Sequence, residues 1–240
     1  MKILLVLSFI LSGILATAQV KKTTTATKKT GTPTKQLPQK SKERLIEITT
    51  DYGVMIAKLY DSTPKHRDNF IKLIQQKIYD SLLFHRVING FMIQGGDPTS
   101  KNADSTAQLG SGSLPGERIP GEFRSNIIHK KGSLAAARDG NAEKASSNCQ
   151  FYIVQGKKTD TAQLKQIEQS VKASNPKFNY SKTQKEIYQR IGGTPFLDQN
   201  YTVFGEVITG LNVLDKIAAS QTRPGDRPTK DVRMKLRLLN

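Results

Sequence analysis

Phe84-His85-Arg86-Val87-Ile88-Asn89-Gly90-Phe91-Met92-Ile93-Gln94-Gly95-Gly96-Asp97 is the stretch whose reading decides the fold. Two short alternating runs flank an Asn-Gly pair, the pattern of a β-hairpin. Loop length sets the register, and a slip of one residue moves every side chain to the other face of the sheet. A two-residue Asn89-Gly90 turn would set Ile93 opposite Arg86. A three-residue loop, Asn89 to Phe91, would set Gln94 opposite Arg86, with Ile88 and Met92 on the same face and Val87 and Ile93 on the other. The second register is preferred. It gathers two polar side chains beside apolar ones on an open face and leaves only apolar residues and His85 behind.

Strand periodicity continues outward from the hairpin. Ile46 and Ile48 alternate with Glu47, Asp51-Tyr52-Gly53 supplies a turn, and Val54 to Tyr60 forms the return strand. Thr63-Pro64 opens a helix, with Thr as cap and Pro at the first helical position, and Phe70, Leu73, Ile74 and Lys77 share one face. A second helix follows Gly210, where Leu211, Leu214, Ile217 and Ala218 have helical spacing. Val232, Met234, Leu236 and Leu238 alternate with Arg233, Lys235 and Arg237 as a half-buried strand. Many strands with two helices suggest a β-barrel or a sandwich carrying terminal helices. Residues 157–193 break the rhythm. Leu164, Ile167 and Val171 have helical spacing after Asp160-Thr161, and Ile187, Tyr188 and Ile191 make a second short amphipathic stretch ended by Gly192-Gly193. This reads as a helical insertion, basic and lying on the surface, either a secondary contact site or a decorated loop.

The N-terminus has its own logic. Lys2, an apolar run from Ile3 to Leu15 and the small residues Ala16-Thr17-Ala18 form a secretory signal peptide pattern cut after Ala18. The run is shorter than the roughly 20 apolar residues of a spanning helix, and the alternative is an uncleaved anchor. Residues 19–42, rich in Lys and Thr, bury too little apolar surface to offset the entropy of ordering and read as a disordered basic linker. The net charge of +17 resembles a nucleic-acid signal until it is located: the linker and the insertion together carry +12 of it. The remaining body, residues 43–156 and 194–240, carries only +4 and is nearly neutral, so specific nucleic-acid binding is not expected.

Most catalytic machinery is missing. Gly110-Ser111-Gly112-Ser113 lacks the strand-turn-helix setting that exposes a nucleophile. His66, His85 and His129 have no metal-ligand spacing, and Cys149, the lone cysteine, has no basic neighbour in sequence to lower its pKa. No nucleotide-binding loop occurs. No metal and no cofactor are expected.

Phe84 to Asp97 resembles the signature of cyclophilin-type peptidyl-prolyl cis/trans isomerases of the bacterial, exported type, and further segments follow in the family's order. Gly132-Ser133-Leu134-Ala135-Ala136-Ala137-Arg138 resembles the Gly-x-x-Ala-Met-Ala-Arg strand of bacterial members. Ser147-Asn148-Cys149-Gln150-Phe151-Tyr152-Ile153 resembles the Ser-Gln-Phe-Phe-Ile strand, and Phe196-Leu197-Asp198 through Tyr201-Thr202-Val203-Phe204-Gly205 resembles the Leu-Asp…Val-Phe-Gly segment. The resemblance runs from about residue 44 to 239 apart from the insertion. It implies a mainly β fold, a closed eight-stranded antiparallel barrel capped by two helices. It implies catalytic roles for Arg86 and Gln94 and substrate-binding roles for Phe91, Met92, Ala137, Arg138, Gln150, Tyr152, Leu197 and Tyr201. Phe196 stands where many eukaryotic members have Trp, which removes an indole N–H donor that tight cyclosporin binding would use. Tyr201 stands where they have His.

These residue types suit amide rotation on physical grounds. No covalent bond changes when an X-Pro amide turns, so neither nucleophile nor metal is required. A cation fixed beside an apolar socket engages the prolyl nitrogen when its lone pair localises in the twisted state. Proline-containing polypeptides are the expected partners of a monomer that is periplasmic or secreted, with no stable membrane insertion once the signal is cut.

Overall fold

The computed structural model describes residues 44–239; the expected signal peptide and basic linker lie outside the described residues. In chain order the strands are β1 (Arg44–Thr50), β2 (Gly53–Leu59), β3 (Arg86–Ile88), β4 (Met92–Gly95), β5 (Ser133–Ala136), β6 (Phe151–Val154), β7 (Val203–Thr209) and β8 (Met234–Leu238). The helices are α1 (Pro64–Gln75), α2 (Thr161–Ser174), α3 (Lys182–Arg190) and α4 (Leu211–Ala218).

Strict alternation puts Ile46 and Ile48 of β1 and Met55, Ala57 and Leu59 of β2 on one buried face. The two strands pair from Arg44 opposite Leu59 to Thr50 opposite Gly53, leaving Asp51-Tyr52 as the turn. The eight strands form one antiparallel sheet in the order β3-β4-β6-β5-β7-β2-β1-β8. It curls into a half-barrel and corrects the expectation of a closed barrel. The edge strands β3 and β8 form no ladder with each other, because β3 has only three residues and its flanks leave strand geometry. An isolated bridge between Leu83 and Arg233, with bonds from Phe84 N–H to the Val232 carbonyl (2.9 Å) and Val87 N–H to the Asp226 carbonyl (2.8 Å), ties the seam instead.

Helix α1 lies against β7 and β8, and α4 lies against β2, β3 and β4. The α1 N-terminus is not capped by the Thr63 side chain, whose hydroxyl lies 3.5 Å from the Tyr60 carbonyl. Glu122 caps it from a distant loop, accepting from the N–H groups of Lys65 (3.2 Å) and His66 (3.0 Å). Lys77, placed on the α1 face by spacing, lies beyond the helix end at φ +56°. Phe70, on the buried face, brings its ring centroid within 5.0 Å of Tyr79, 5.1 Å of Phe204 and 5.2 Å of Phe151, knotting helix to sheet.

The insertion forms α2 and α3, each opened by a reciprocal capping box, Asp160 with Gln163 and Ser181 with Gln184. Its surface is basic, but it also buries Leu164, Val171, Phe178, Tyr180 and Tyr188 against Ile128, in the segment that precedes β5. It is therefore a packed layer, with a small core of its own. No helix among the described residues is long and apolar enough to cross a membrane.

Two stability predictions follow from the core. Phe70→Ala removes a ring that three others touch, and a loss of about 3–5 kcal/mol is expected from urea unfolding. His85 is buried with no hydrogen-bond partner on either ring nitrogen among the described residues. Burial pushes its pKa down to about 4, against the opposing charge of Asp97. Because the folded value lies below the unfolded value of about 6.5, its stabilising contribution is complete above that pH. It is lost as pH falls towards 4, by about 3 kcal/mol. Urea midpoints between pH 7 and 4.5 should fall less steeply in His85→Leu than in the natural chain.

Candidate active site

The hairpin that sets the site adopts the three-residue loop. Arg86 pairs with Gln94, Val87 with Ile93 and Ile88 with Met92. Gly90 takes φ +75°, a left-handed conformation that favours glycine, and a Cβ there would also displace the Lys157 side chain. The chain beyond β6 bolts the turn down. Gly90 N–H donates to Gln155 Oε1 (2.6 Å), and the Phe91 carbonyl accepts from the N–H groups of Gln155 and Gly156, both at 3.0 Å.

Pairing then spreads the register across the sheet. Gln94 lies opposite Tyr152, Tyr152 opposite Ala135, and Ala135 opposite Val203. Alternation sends Val87, Ile93, Ile153 and Leu134 into the main core, and Met92, Tyr152, Val154, Ala135 and Val203 to the other side. This second face carries a recess of about 110 Å³ lined by Arg86, Phe91, Met92, Gln94, Ala137, Arg138, Tyr152, Leu197 and Tyr201. Nine of the ten residues expected from the sequence thus meet at one hollow. Gln150 stands outside it, behind Gln94 and in an adjoining groove of about 510 Å³ that also touches Gly110, Ser113, Leu114 and Asn148.

Polar contacts fix the charged rim. The Arg86 side chain is 41% exposed; its Nε donates to Asp226 Oδ2 at 3.3 Å and its Nη1 reaches Gln94 Oε1 at a long 3.5 Å. Gln94 Nε2 donates to Gln150 Oε1 (3.1 Å), whose own amide donates to the carbonyls of Gly110 (2.9 Å) and Gly112 (2.8 Å). Those glycines in turn donate their N–H groups to the buried Asp97 carboxylate at 2.5 and 3.2 Å. Burial raises the Asp97 pKa, but the donors from Thr99, Gly110 and Gly112 outweigh it and hold the carboxyl below its usual range. A buried anion therefore anchors the relay that ends at Arg86.

Arg138 is braced rather than free. It donates to the carbonyls of Asn200 (3.0 Å) and Asp139 (2.9 Å), and its guanidinium carbon sits 4.5 Å above the Tyr201 ring. It holds Tyr201 as a wall. Tyr152 meets Tyr201 at 80° and 6.1 Å, and its hydroxyl lies 3.0 Å from His129 Nε2. Phe91 approaches the exposed Phe196 ring at 5.8 Å.

Asp226, Asn200, His129 and Asp198 were not expected at the site. Asn200 acts through a main-chain carbonyl, which leaves no side-chain signal, and Asp226 arrives from a loop that crosses the open seam. Cys149 is buried, and burial raises its thiol pKa. Among the described residues no group of three or more His, Cys, Asp and Glu side chains could hold a metal ion. The hollow offers the half-exposed Arg86 guanidinium, the braced Arg138 and a small apolar socket, which suits binding and polarisation.

Comparison with known proteins bears on the fold and the family. A family model described as "Cyclophilin type peptidyl-prolyl cis-trans isomerase/CLD" matches residues 45–237. A Staphylococcus aureus protein named as a peptidyl-prolyl cis-trans isomerase is 36% identical over 188 residues, 78% of this chain and 87% of that protein. A Streptococcus pyogenes protein named as a bifunctional phosphatase/peptidyl-prolyl cis-trans isomerase is 36% identical over 190 residues, 78% of this chain but 37% of that one. The crystal structure of a Cryptosporidium parvum cyclophilin type peptidyl-prolyl cis-trans isomerase shares the fold. Its TM-score is 0.61 at 22% identity, over 82% of this chain and 98% of that one. The same protein has been crystallised in the presence of the dipeptide Ala-Pro. The chain belongs to the cyclophilin-type peptidyl-prolyl cis-trans isomerase family.

Proposed function

We propose that this chain accelerates X-Pro rotation in exported polypeptides as they fold, and that Arg86 supplies the decisive interaction by stabilising the half-rotated imide. The carrying observation is the Arg86 guanidinium at the rim of the apolar recess, with Nε held by Asp226 and Nη1 by Gln94. Among the described residues Nη2 keeps no partner and is available to a substrate. The barrier to rotation is roughly 18–20 kcal/mol because resonance gives the C–N bond double-bond character. An acceleration of about a millionfold asks for roughly 8 kcal/mol of stabilisation felt in the transition state alone.

As the amide twists, conjugation is lost and the prolyl nitrogen recovers its lone pair. A donor fixed beforehand meets that lone pair without reorganising, and meets nothing comparable in the planar amide. Gln94, held by Gln150, keeps the guanidinium in place and contacts the substrate backbone. Phe91, Met92, Tyr152 and Leu197 hold the pyrrolidine ring while the preceding carbonyl swings, and Tyr201, Ala137 and Arg138 close the wall. Excluding water removes the solvent that favours the more polar planar form. The reaction needs no cofactor, and the enzyme acts as a monomer.

The N-terminal sequence supports export. Residues 1–18 have the order of a signal peptide, and residues 19–42 serve as a tether between the cleavage point and a catalytic domain that begins at residue 43 and carries the insertion.

Two measurements test this reading. In a peptide isomerisation assay on the chain beginning at Gln19, Arg86→Ala should lower kcat/KM at least about tenfold with the circular dichroism spectrum unchanged. Retention of both rate and fold removes Arg86 from the mechanism. N-terminal sequencing of the protein recovered from outside the cytoplasm should begin at Gln19; activity confined to the cytoplasm overturns the export assignment.

A further inference from the structure

We propose that the insertion carries positioning residues for the reaction: the hydroxyls of Tyr180 and Tyr188, acting through Asp198 and His129, fix the Tyr152 ring in the proline socket. The inference rests on the socket described above as the place where proline is held.

The geometry begins at a carboxylate that, among the described residues, is paired with no Lys or Arg side chain. Asp198 is 1% exposed. Its Oδ2 accepts from the hydroxyls of Tyr180 and Tyr188, both at 2.6 Å. Its Oδ1 accepts from the His129 main-chain N–H at 2.8 Å and faces His129 Nδ1 at 2.7 Å. A carboxylate offers about four lone-pair positions, and the four donors fill them. Tyr180 Oη also lies 3.0 Å from the Pro195 carbonyl, but its single hydrogen goes to the shorter, charged contact.

The histidine converts this arrangement into a direction for Tyr152. In the neutral imidazole one nitrogen donates and the other accepts. Nδ1 faces an acceptor-only group, so it carries the hydrogen, and Nε2 accepts from the Tyr152 hydroxyl at 3.0 Å. The two rings lie nearly parallel, 12° apart. Tyr152 thus has its phenol end tied down while its ring forms part of the recess. Burial, followed for Tyr180 and Tyr188 by the Asp198 charge, raises all three phenols well above their ordinary pKa, so all remain donors.

The source of the two tyrosines is the insertion. Tyr180 and Tyr188 meet edge to face at 5.6 Å, and Phe178 packs on Tyr180 at 4.8 Å. Glu168 of α2 accepts from the Tyr180 N–H at 2.7 Å and pairs with Lys185 of α3 at 3.0 Å, so both helices hold the tyrosine in place. Removing a hydroxyl from Oδ2 leaves a buried anion short of a donor. His129, which shares that anion, is then free to shift, and Tyr152 with it.

The test compares Tyr188→Phe in the natural full chain and in a Tyr152→Phe background, which keeps the ring and cuts the last link. Tyr188→Phe should lower kcat/KM about threefold to tenfold in the natural chain and less than about 1.5-fold in the Tyr152→Phe chain. In the substrate-free protein, the imidazole ¹⁵N shifts of His129 should move on Tyr188→Phe. Equal losses in the two backgrounds, or no loss in the first, overturn the inference, since a general weakening of the fold ignores Tyr152. Tyr180→Phe gives the same comparison if Tyr188→Phe fails to fold. Arg86→Ala run alongside separates the two levels. A rate lost there with Tyr188→Phe silent sinks only the coupling, whereas a natural rate in Arg86→Ala sinks the socket reading and the coupling with it.

Discussion

The structure depends on one register. Three loop residues between β3 and β4 set Arg86 opposite Gln94, and every later pairing inherits that choice. Gln94 meets Tyr152 because β6 follows β4 in the sheet, and Ala135 meets Tyr152 because β5 follows β6. A two-residue turn would have sent Gln94 into the core and Ile93 to the open face, with the cation left beside no socket. Gly90, crowded by Lys157 and held at positive φ, protects that choice locally.

The sheet separates two kinds of burial. One face packs Phe70, Phe151, Phe204 and their neighbours into a continuous apolar core that sets stability. The other buries Met92, Ala135, Tyr152 and Val203 in a smaller cluster, edged by the half-buried Phe91, Leu197 and Tyr201, and stops short at a hollow ringed by polar contacts. Asp97, Gln150 and Gln94 reach the guanidinium from one side and Asp226 from the other. The apolar residues give the recess its shape. The bonded amides and carboxylates limit how far the Arg86 guanidinium can wander, and that limit is what preorganisation requires.

How much of this could be read in the sequence depended on range. The hairpin register, the β1–β2 pair and the helices were legible because alternation, turn residues and helical spacing are local signals. Closure was not, since it depends on whether β3 and β8 meet across the whole chain, and a three-residue edge strand leaves no mark of its own failure to pair. The α1 cap was read as Thr63 from proximity; Glu122 takes the role because the fold brings it there. Nine of ten candidate residues share the recess, yet their residue types alone did not place Gln150 behind Gln94. Asp226 and Asn200 could not be found at all, one because it crosses the seam and the other because it acts through its carbonyl. The insertion's basic surface was plain in the composition, whereas the buried use of Tyr180 and Tyr188 exists only once Asp198 has been folded against them.

The first and last described strands lie side by side, with Ile46 opposite Leu238 and Thr50 opposite Met234. The N-terminal strand therefore waits for the C-terminal one, across nearly the full length of the domain. Contacts of such high sequence separation form late, after the loop-closure entropy of the whole chain has been met. A growing chain can pair β1 with β2 early but cannot complete the sheet until β8 has emerged. Until β8 arrives, one edge of β1 keeps its N–H and C=O groups unpaired, open to any extended segment that passes.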